Sequence, residues 1–298
     1  MILATPFDTG AVDHTSMARQ VRRARQAGAD GVVALGVFGE AAHLSLAEQR
    51  AVAETTADAA EGTPLVLGVA GRSTAVAVEQ AANALDGAAA GGAALDSTSL
   101  MVQVSQAVPE AVVRQLTAVH EQTGAGIVLQ DYPATSGVHV SAAKVIEIVR
   151  ACPFVVAVKA EAPPTPPAIG ELTRAADVPV FGGLGGVGLV DELTMGAAGA
   201  MTGFSHPEGL RATIDAFTHG GFTAARDAWA PWLPLANFEA QQGIALALRK
   251  MLMHRRGVID HPGVRPPAPP MPDQLLPLLE QHLAAAPYDH PDTHGGDT

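Results

Sequence analysis

Lysine, cysteine and aromatic residues are all scarce in this chain of 298 residues. Cys152 is the lone thiol, which excludes a disulfide framework and a cysteine-based metal cluster. It precedes Pro153 at a helix-to-strand junction, where a small buried thiol is expected rather than a nucleophile. Aromatics make up 4% of residues, so the core is expected to consist of Ala, Val, Leu and Gly instead of rings. Cations are outnumbered, with 18 Lys and Arg against 30 Asp and Glu. The resulting charge of −12 excludes nucleic acid as a partner, because that binding neutralises phosphates. No run reaches about 18 uninterrupted apolar residues, so no membrane span is expected. The opening MILATPFDTGAVD lacks a charged start followed by an apolar run, the mark of a signal peptide. No HxH, HExxH or carboxylate cluster points to a metal. These absences lead us to expect a soluble protein of the reducing cytoplasm.

What is present is a periodic chain. Apolar residues reach 48% and the mean hydropathy is +0.20, which excludes wholesale disorder. Short β-branched runs fall at 2–7, 31–37, 64–70, 99–105, 126–132, 154–160, 179–184 and 199–205. Between them lie amphipathic stretches such as 15–27, 46–60, 76–90, 110–123 and 141–151. Near-continuous apolar strands separated by helices are what a parallel sheet covered on both faces requires. The fold class is therefore α/β, and eight strands within about 205 residues predict a (β/α)8 TIM barrel over 1–208. A C-terminal helical extension is expected over 209–286, with a disordered tail at 287–298 carrying His290 and His294. The Ala/Gly-rich segment 84–98 reads as a helix end followed by a flexible insertion. The basic run Arg249, Lys250, His254, Arg255 and Arg256 reads as the cationic end of a helix, opposing its dipole.

In such a barrel the active residues sit at the C-terminal ends of the strands. Those ends read GVFGE (36–40), GVAGRST (68–74), QVSQ (103–106), QDYP (130–133), VKAE (158–161), GGLGG (182–186) and TGFSHPE (202–208). Of the three lysines, Lys144 and Lys250 fall on expected helix surfaces. Lys159 instead ends the buried run FVVAVK with its amine at the barrel mouth. Desolvation there disfavours the ammonium, and a free amine is what a Schiff-base nucleophile needs. The alternative is a structural pair with Glu161. Strand alternation places Gln130 and Tyr132 on one face and Asp131 on the other. The sequence Gly183-Leu-Gly185-Gly-Val-Gly188, with Glu208 downstream, matches a dinucleotide fingerprint. It comes too late in the chain, and it reads better as a glycine loop whose N–H groups approach a substrate.

TPFDTGAVD, GVFGEAAHLSLAEQR, VKAE and GAAGAMTG resemble the dihydrodipicolinate synthase / N-acetylneuraminate lyase family of class I aldolases. The similarity spreads over 1–208, and VRPPAPP resembles the family's C-terminal region. The resemblance implies a TIM barrel with a helical extension, a homo-oligomer (tetramer or dimer), and a lysine that forms an imine with a small-molecule 2-oxo acid. By position that lysine is Lys159, and no separate cofactor is implied. The substrate carboxylate would lie around Val37, Phe38 and Gly39, held chiefly by backbone N–H groups. Asp131, beside the relay position on its strand, and Gly183, Gly185, Met201, Thr202 and His206, at the later strand ends, are expected as further substrate contacts.

The departures from the family pattern steer the chemistry. Val37-Phe38 stands where the family has Thr-Thr, and Gln130 where it has its proton-relay tyrosine. The synthase's specificity arginine would fall near Thr135. Retro-aldol cleavage needs a base on the C4 hydroxyl, the tyrosine's usual task, so its loss weakens that route more than dehydration. GVFGEAAHLS, QDYP, KAEAPPTPP and GGLGG also resemble the branch containing L-2-keto-3-deoxyarabonate dehydratase. The expected activity is a hydro-lyase on a 2-keto-3-deoxy sugar acid, with Glu161 shuttling the proton and Tyr132 a candidate replacement for the missing phenol. A pyruvate-dependent aldolase and a non-catalytic 2-oxo-acid-binding barrel are the alternatives.

Overall fold

The structure, a computed structural model, describes residues 1–287. The expected tail with Tyr288, His290 and His294 lies outside the described residues from position 288 onward. A hairpin opens the chain, β1 (Phe7–Asp8) pairing antiparallel with β2 (Ala11–Val12). The run at 2–7 reads as one strand in the sequence, and here the structure differs. Thr9 and Gly10 both take positive φ (46° and 91°), which folds the end of that run into a tight turn.

The sheet then runs in sequential parallel order: β3 (Val32–Ala34), β4 (Leu65–Val69), β5 (Thr98–Gln103), β6 (Gly126–Asp131), β7 (Val155–Ala160), β8 (Val180–Gly182) and β9 (Gly199–Ala200). Residues 1–4 close it into a ring. Ile2 N–H donates to the Thr202 carbonyl just beyond β9 (3.0 Å), and Leu3 N–H donates to Val33 on β3 (2.9 Å). The barrel is therefore complete, with its first segment as the eighth stave. Its lumen is filled by Ile2, Val33, Met101, Val128 and Ala157, with Phe181 and Met201 packed against them.

Around the barrel lie α1 (His14–Gln26), α2 (Leu46–Ala60), α3 (Thr74–Ala90) and α4 (Pro109–Thr123). They are followed by the single turn α5 (Pro133–Ser136), then α6 (Ala142–Ala151), α7 (Thr165–Ala175) and α8 (Leu189–Thr194). Local chemistry sets their starts. Asp13 caps α1, and Ser45 with Glu48 forms a reciprocal capping box on α2. Cys152 caps the end of α6 and is buried, and burial pushes its thiol up.

The expected flexible insertion at 84–98 is not there. Residues 84–90 belong to α3, and a 3-10 turn at Leu95–Ser97 leads directly into β5. A Cβ at Gly87 or Gly91 would overlap the α2 backbone at Arg50 and Glu54. The small residues are there because two helices touch, not because the chain is loose.

Beyond the barrel come α9 (Pro207–Trp229, bent at Gly221), α10 (Leu233–Glu239), α11 (Ala245–Arg255) and α12 (Leu276–Ala285). Here the expectation of a ring-free core fails locally. Phe204, Trp229, Trp232 and Phe238 pack together with Leu248, Leu252 and Leu279, so the few rings are concentrated where the extension meets the barrel. Among the described residues no helix is long and apolar enough to cross a membrane.

Candidate active site

Strand β7 alternates as a buried barrel strand must. Val158 and Ala160 face the helices, while Ala157 and Lys159 face the lumen. Glu161, one step past the strand, faces the lumen with Lys159. Their side chains are 4% and 5% exposed, and Lys159 Nζ lies 2.7 Å from Glu161 Oε2. That same oxygen accepts from Gln130 Nε2 at 2.7 Å, and the other, Oε1, accepts from the Leu184 N–H at 3.3 Å. The carboxylate is therefore held from two sides, while Glu161 is the single polar partner of the amine among the described residues. An amine beside a fixed proton acceptor, facing the lumen, is equipped for nucleophilic attack.

The parallel register extends this site around the wall. Gln103, Gln130, Lys159 and Phe181 are successive neighbours on β5 to β8 and form one layer at the mouth. The glycine loop after β8 closes against that layer. A Cβ at Gly183 would overlap the Glu161 carboxylate, so only glycine lets the acid sit there. Gly185, at φ 74°, donates its N–H to Thr202 Oγ1 (2.8 Å). The loop thus shapes the carboxylate's seat.

After β3 the chain turns sharply at 36–40. Gly39 accepts from Thr5 Oγ1 (2.6 Å), and Glu40 adopts left-handed φ (56°). No protein acceptor faces the N–H groups of Val37, Phe38 and Gly39 among the described residues, and Val37 is exposed. Three open donors on one turn are able to hold an anion.

The other expected residues are placed differently. Met201 packs into the lumen floor, and the Thr202 hydroxyl is engaged by Gly185. Tyr132 stands at the rim before α5. Its phenol is pushed up first by burial and then by the Glu161 charge, and no hydrogen bond joins it to Lys159 or Glu161. Asp131 is on the opposite face of β6 from Gln130, its Oδ1 buried without a hydrogen bond. Burial pushes its carboxyl up to about 6, with Glu161 adding and His139 opposing. His206, expected as a substrate contact, lies within the aromatic cluster. It is fully buried between Phe204 and Trp232, with Nδ1 2.9 Å from Ser205 Oγ.

One correction concerns Lys250. Far from lying on a helix surface, it is 0% exposed and ion-paired with Glu40, 210 positions away. It also donates to the Gly263 carbonyl (2.9 Å). The Arg265 N–H donates to the other Glu40 oxygen (2.8 Å), so the extension grips the 36–40 turn from behind. Its neighbour Arg249 also turns inward, with Cζ 5.4 Å from the centroid of the Phe38 ring. Sequence reasoning misses Gln103, Glu40, Lys250 and Arg249 as parts of the site. Gln103 and Glu40 have a usable signal there, as both fall within strand ends read from the sequence, QVSQ and GVFGE.

Over residues 1–286 the chain matches the dihydrodipicolinate synthetase family. It is 32% identical over 286 residues to L-2-keto-3-deoxyarabonate dehydratase of Azospirillum brasilense, spanning 93% of this chain and 91% of that protein. It is 29% identical over 290 residues to 4-hydroxy-tetrahydrodipicolinate synthase of Synechococcus sp. (strain CC9902), spanning 95% and 93%. The crystal structure of dihydrodipicolinate synthase from Rhodopseudomonas palustris superposes with a TM-score of 0.86 at 28% identity, covering 95% of each chain.

Proposed function

The chain belongs to the dihydrodipicolinate synthetase family and is a lyase of that family; from that premise we propose that it dehydrates a 2-keto-3-deoxy sugar acid through a Schiff base on Lys159. L-2-keto-3-deoxyarabonate, the substrate in the name of the Azospirillum relative, is the leading candidate.

In this reading the 2-oxo acid enters with its carboxylate on the 36–40 turn. Glu161 takes a proton from the Lys159 ammonium, and the amine adds to the C2 carbonyl. Glu161 returns that proton to the carbinolamine hydroxyl, whose departure as water gives a protonated imine and a carboxylate again; the imine acidifies the protons on C3. Glu161 then removes a C3 proton and returns it to the departing C4 hydroxyl, so water is eliminated between C3 and C4. Tautomerisation and imine hydrolysis release an aldehyde, 2-oxoglutarate semialdehyde where the substrate is L-2-keto-3-deoxyarabonate, and restore Lys159.

One observation carries the preference for dehydration. Gln130 occupies the relay position and holds the Glu161 oxygen that lies 2.7 Å from Lys159, so the available proton carrier is a carboxylate near C3. For the aldolase alternative a phenolate would serve C4, and burial works against forming one at Tyr132.

Two assays test this. Pyruvate with borohydride should attach to Lys159, located by peptide mass. Racemic 2-keto-3-deoxypentonate should then yield semialdehyde without pyruvate. Released pyruvate instead means an aldolase. No adduct and no product means a barrel that only binds.

A further inference from the structure

The notable feature of the extension is an arginine whose outer edge has nothing to do. Arg249 lies in the middle of α11, with its side chain 11% exposed. Its Nε donates to Glu239 Oε1 (3.0 Å), and Glu239 is itself fully buried and accepts from the Ser205 N–H. That contact fixes the guanidinium by its inner edge alone. Nη1 and Nη2 have no acceptor among the described residues.

Three neighbours show where that free edge lies. The guanidinium is stacked over the ring of Phe38, in the turn that follows β3. Nη2 packs on Gly185 so closely that a Cβ there would overlap it, which places it against the loop following β8. Its charge reaches the Tyr132 phenol, at the end of β6. Those three strand ends surround the barrel mouth. The guanidinium also covers the ring of a residue whose own N–H, with those of Val37 and Gly39, has no protein acceptor. The two other cations nearby, Lys159 and Lys250, are paired with Glu161 and Glu40 as Arg249 is with Glu239, but Arg249 keeps two further nitrogens without an acceptor among the described residues.

We infer that Arg249 is a substrate-binding residue supplied by the extension, its outer N–H pair gripping the carboxylate of a 2-oxo acid that the 36–40 turn holds from the other side. A planar guanidinium presents two parallel donors that match a carboxylate, and such bidentate pairs are the stronger kind of charge-assisted bond. Restricted exposure strengthens the pair further, because little water competes for either partner. The inference rests on the reading of the site as one that takes a 2-oxo acid.

The test is calorimetric binding of pyruvate and of its uncharged methyl ester to the full chain, with borohydride trapping run in parallel. R249M should weaken pyruvate about 10–100-fold, R249K less, and methyl pyruvate should be unchanged. Removing Arg249 alone leaves Glu239 buried without its cation, so the double variant R249M/E239Q is measured too and should show the same selective loss. Equal weakening of pyruvate and its ester, or a shift in E239Q as large as in R249M, would make Arg249 a structural residue and overturn the inference. Unchanged pyruvate binding in R249M overturns it as well. Pyruvate binding to the unaltered chain without a trapped adduct overturns the Schiff base alone. No pyruvate binding at all overturns both.

Discussion

Two lysines of this chain are buried to nearly the same degree, each against a glutamate, and they are bonded differently. Lys250 is saturated. Its ammonium meets the Glu40 carboxylate and the Gly263 carbonyl and lies 4.4 Å from the centroid of the Phe7 ring. Lys159 has Glu161 alone, whereas that glutamate is held by Gln130 and Leu184 as well as by the lysine. Burial and a carboxylate partner therefore do not mark a reactive lysine. What distinguishes Lys159 is spare bonding capacity in the layer at the barrel mouth, next to an acid that two other donors also hold.

The comparison can be broken at several points, beginning with the largest effect. K159M should lose both borohydride labelling and turnover to below detection while still folding, and K250M should keep its label on Lys159. Labelling of Lys250 by pyruvate would erase the distinction. The two glutamates should part next. E161Q should still be trapped as an imine but turn over about 10²–10⁴-fold more slowly, the range for losing a general acid–base group. E40Q should leave the maximal rate near its original value.

Stability should show the reverse order. K250M strands Glu40 in the interior, and breaking a buried pair costs about 3–5 kcal/mol, measurable by denaturant unfolding. K250M/E40Q should recover much of that loss, and a double variant no better than K250M would mean the pair is not the source of the strain.

The smallest effect belongs to Asp131, a buried carboxyl with neither lysine nor arginine to hold it. Burial raises it from the ordinary 3.8 to about 6 in the folded state. The folded chain thus keeps a proton that the unfolded chain releases. Its contribution is fully present below about 3.8 and is lost as pH rises through about 6. D131N should flatten this slope and gain roughly 2 kcal/mol at neutral pH, because each tenfold difference in proton affinity between the two states is worth about 1.4 kcal/mol. Identical melting curves for D131N and the unaltered chain across pH 4–7 would remove Asp131 from the comparison.

The barrel was legible because a parallel sheet buried on both faces leaves its trace in strand composition, and alternation on β7 then puts Lys159 and Glu161 in the lumen. Gln130 followed from the same rule on β6. The extension's part in the site was not legible, for a physical reason. Arg249 and Lys250 look like the cationic end of a helix, but α11 continues to Arg255, so His254 and Arg255 occupy the last turn and the earlier pair faces inward. Nothing local announces that a residue at 250 meets one at 40, because that pairing is decided by packing between distant segments. The stretch at 84–98 misled for the opposite reason. Alanine and glycine mark loose chain in some settings and close helix contact in others, and here Gly87 and Gly91 lie against the α2 backbone.

The bond between Lys250 and Glu40 also has a consequence for how the enzyme is made. The 36–40 turn leaves the ribosome early, yet the ammonium that meets Glu40 follows 210 residues later, and the Arg265 N–H 225 residues later. At about 5–20 residues per second, some 10–45 s of synthesis separate the turn from its last partner. For nearly half of that interval the nascent chain already carries Lys159 and Glu161 while Glu40 still lacks these partners. Activity is thus a late event of translation, and a chain released before its final helices are made should accumulate without turning over any sugar acid.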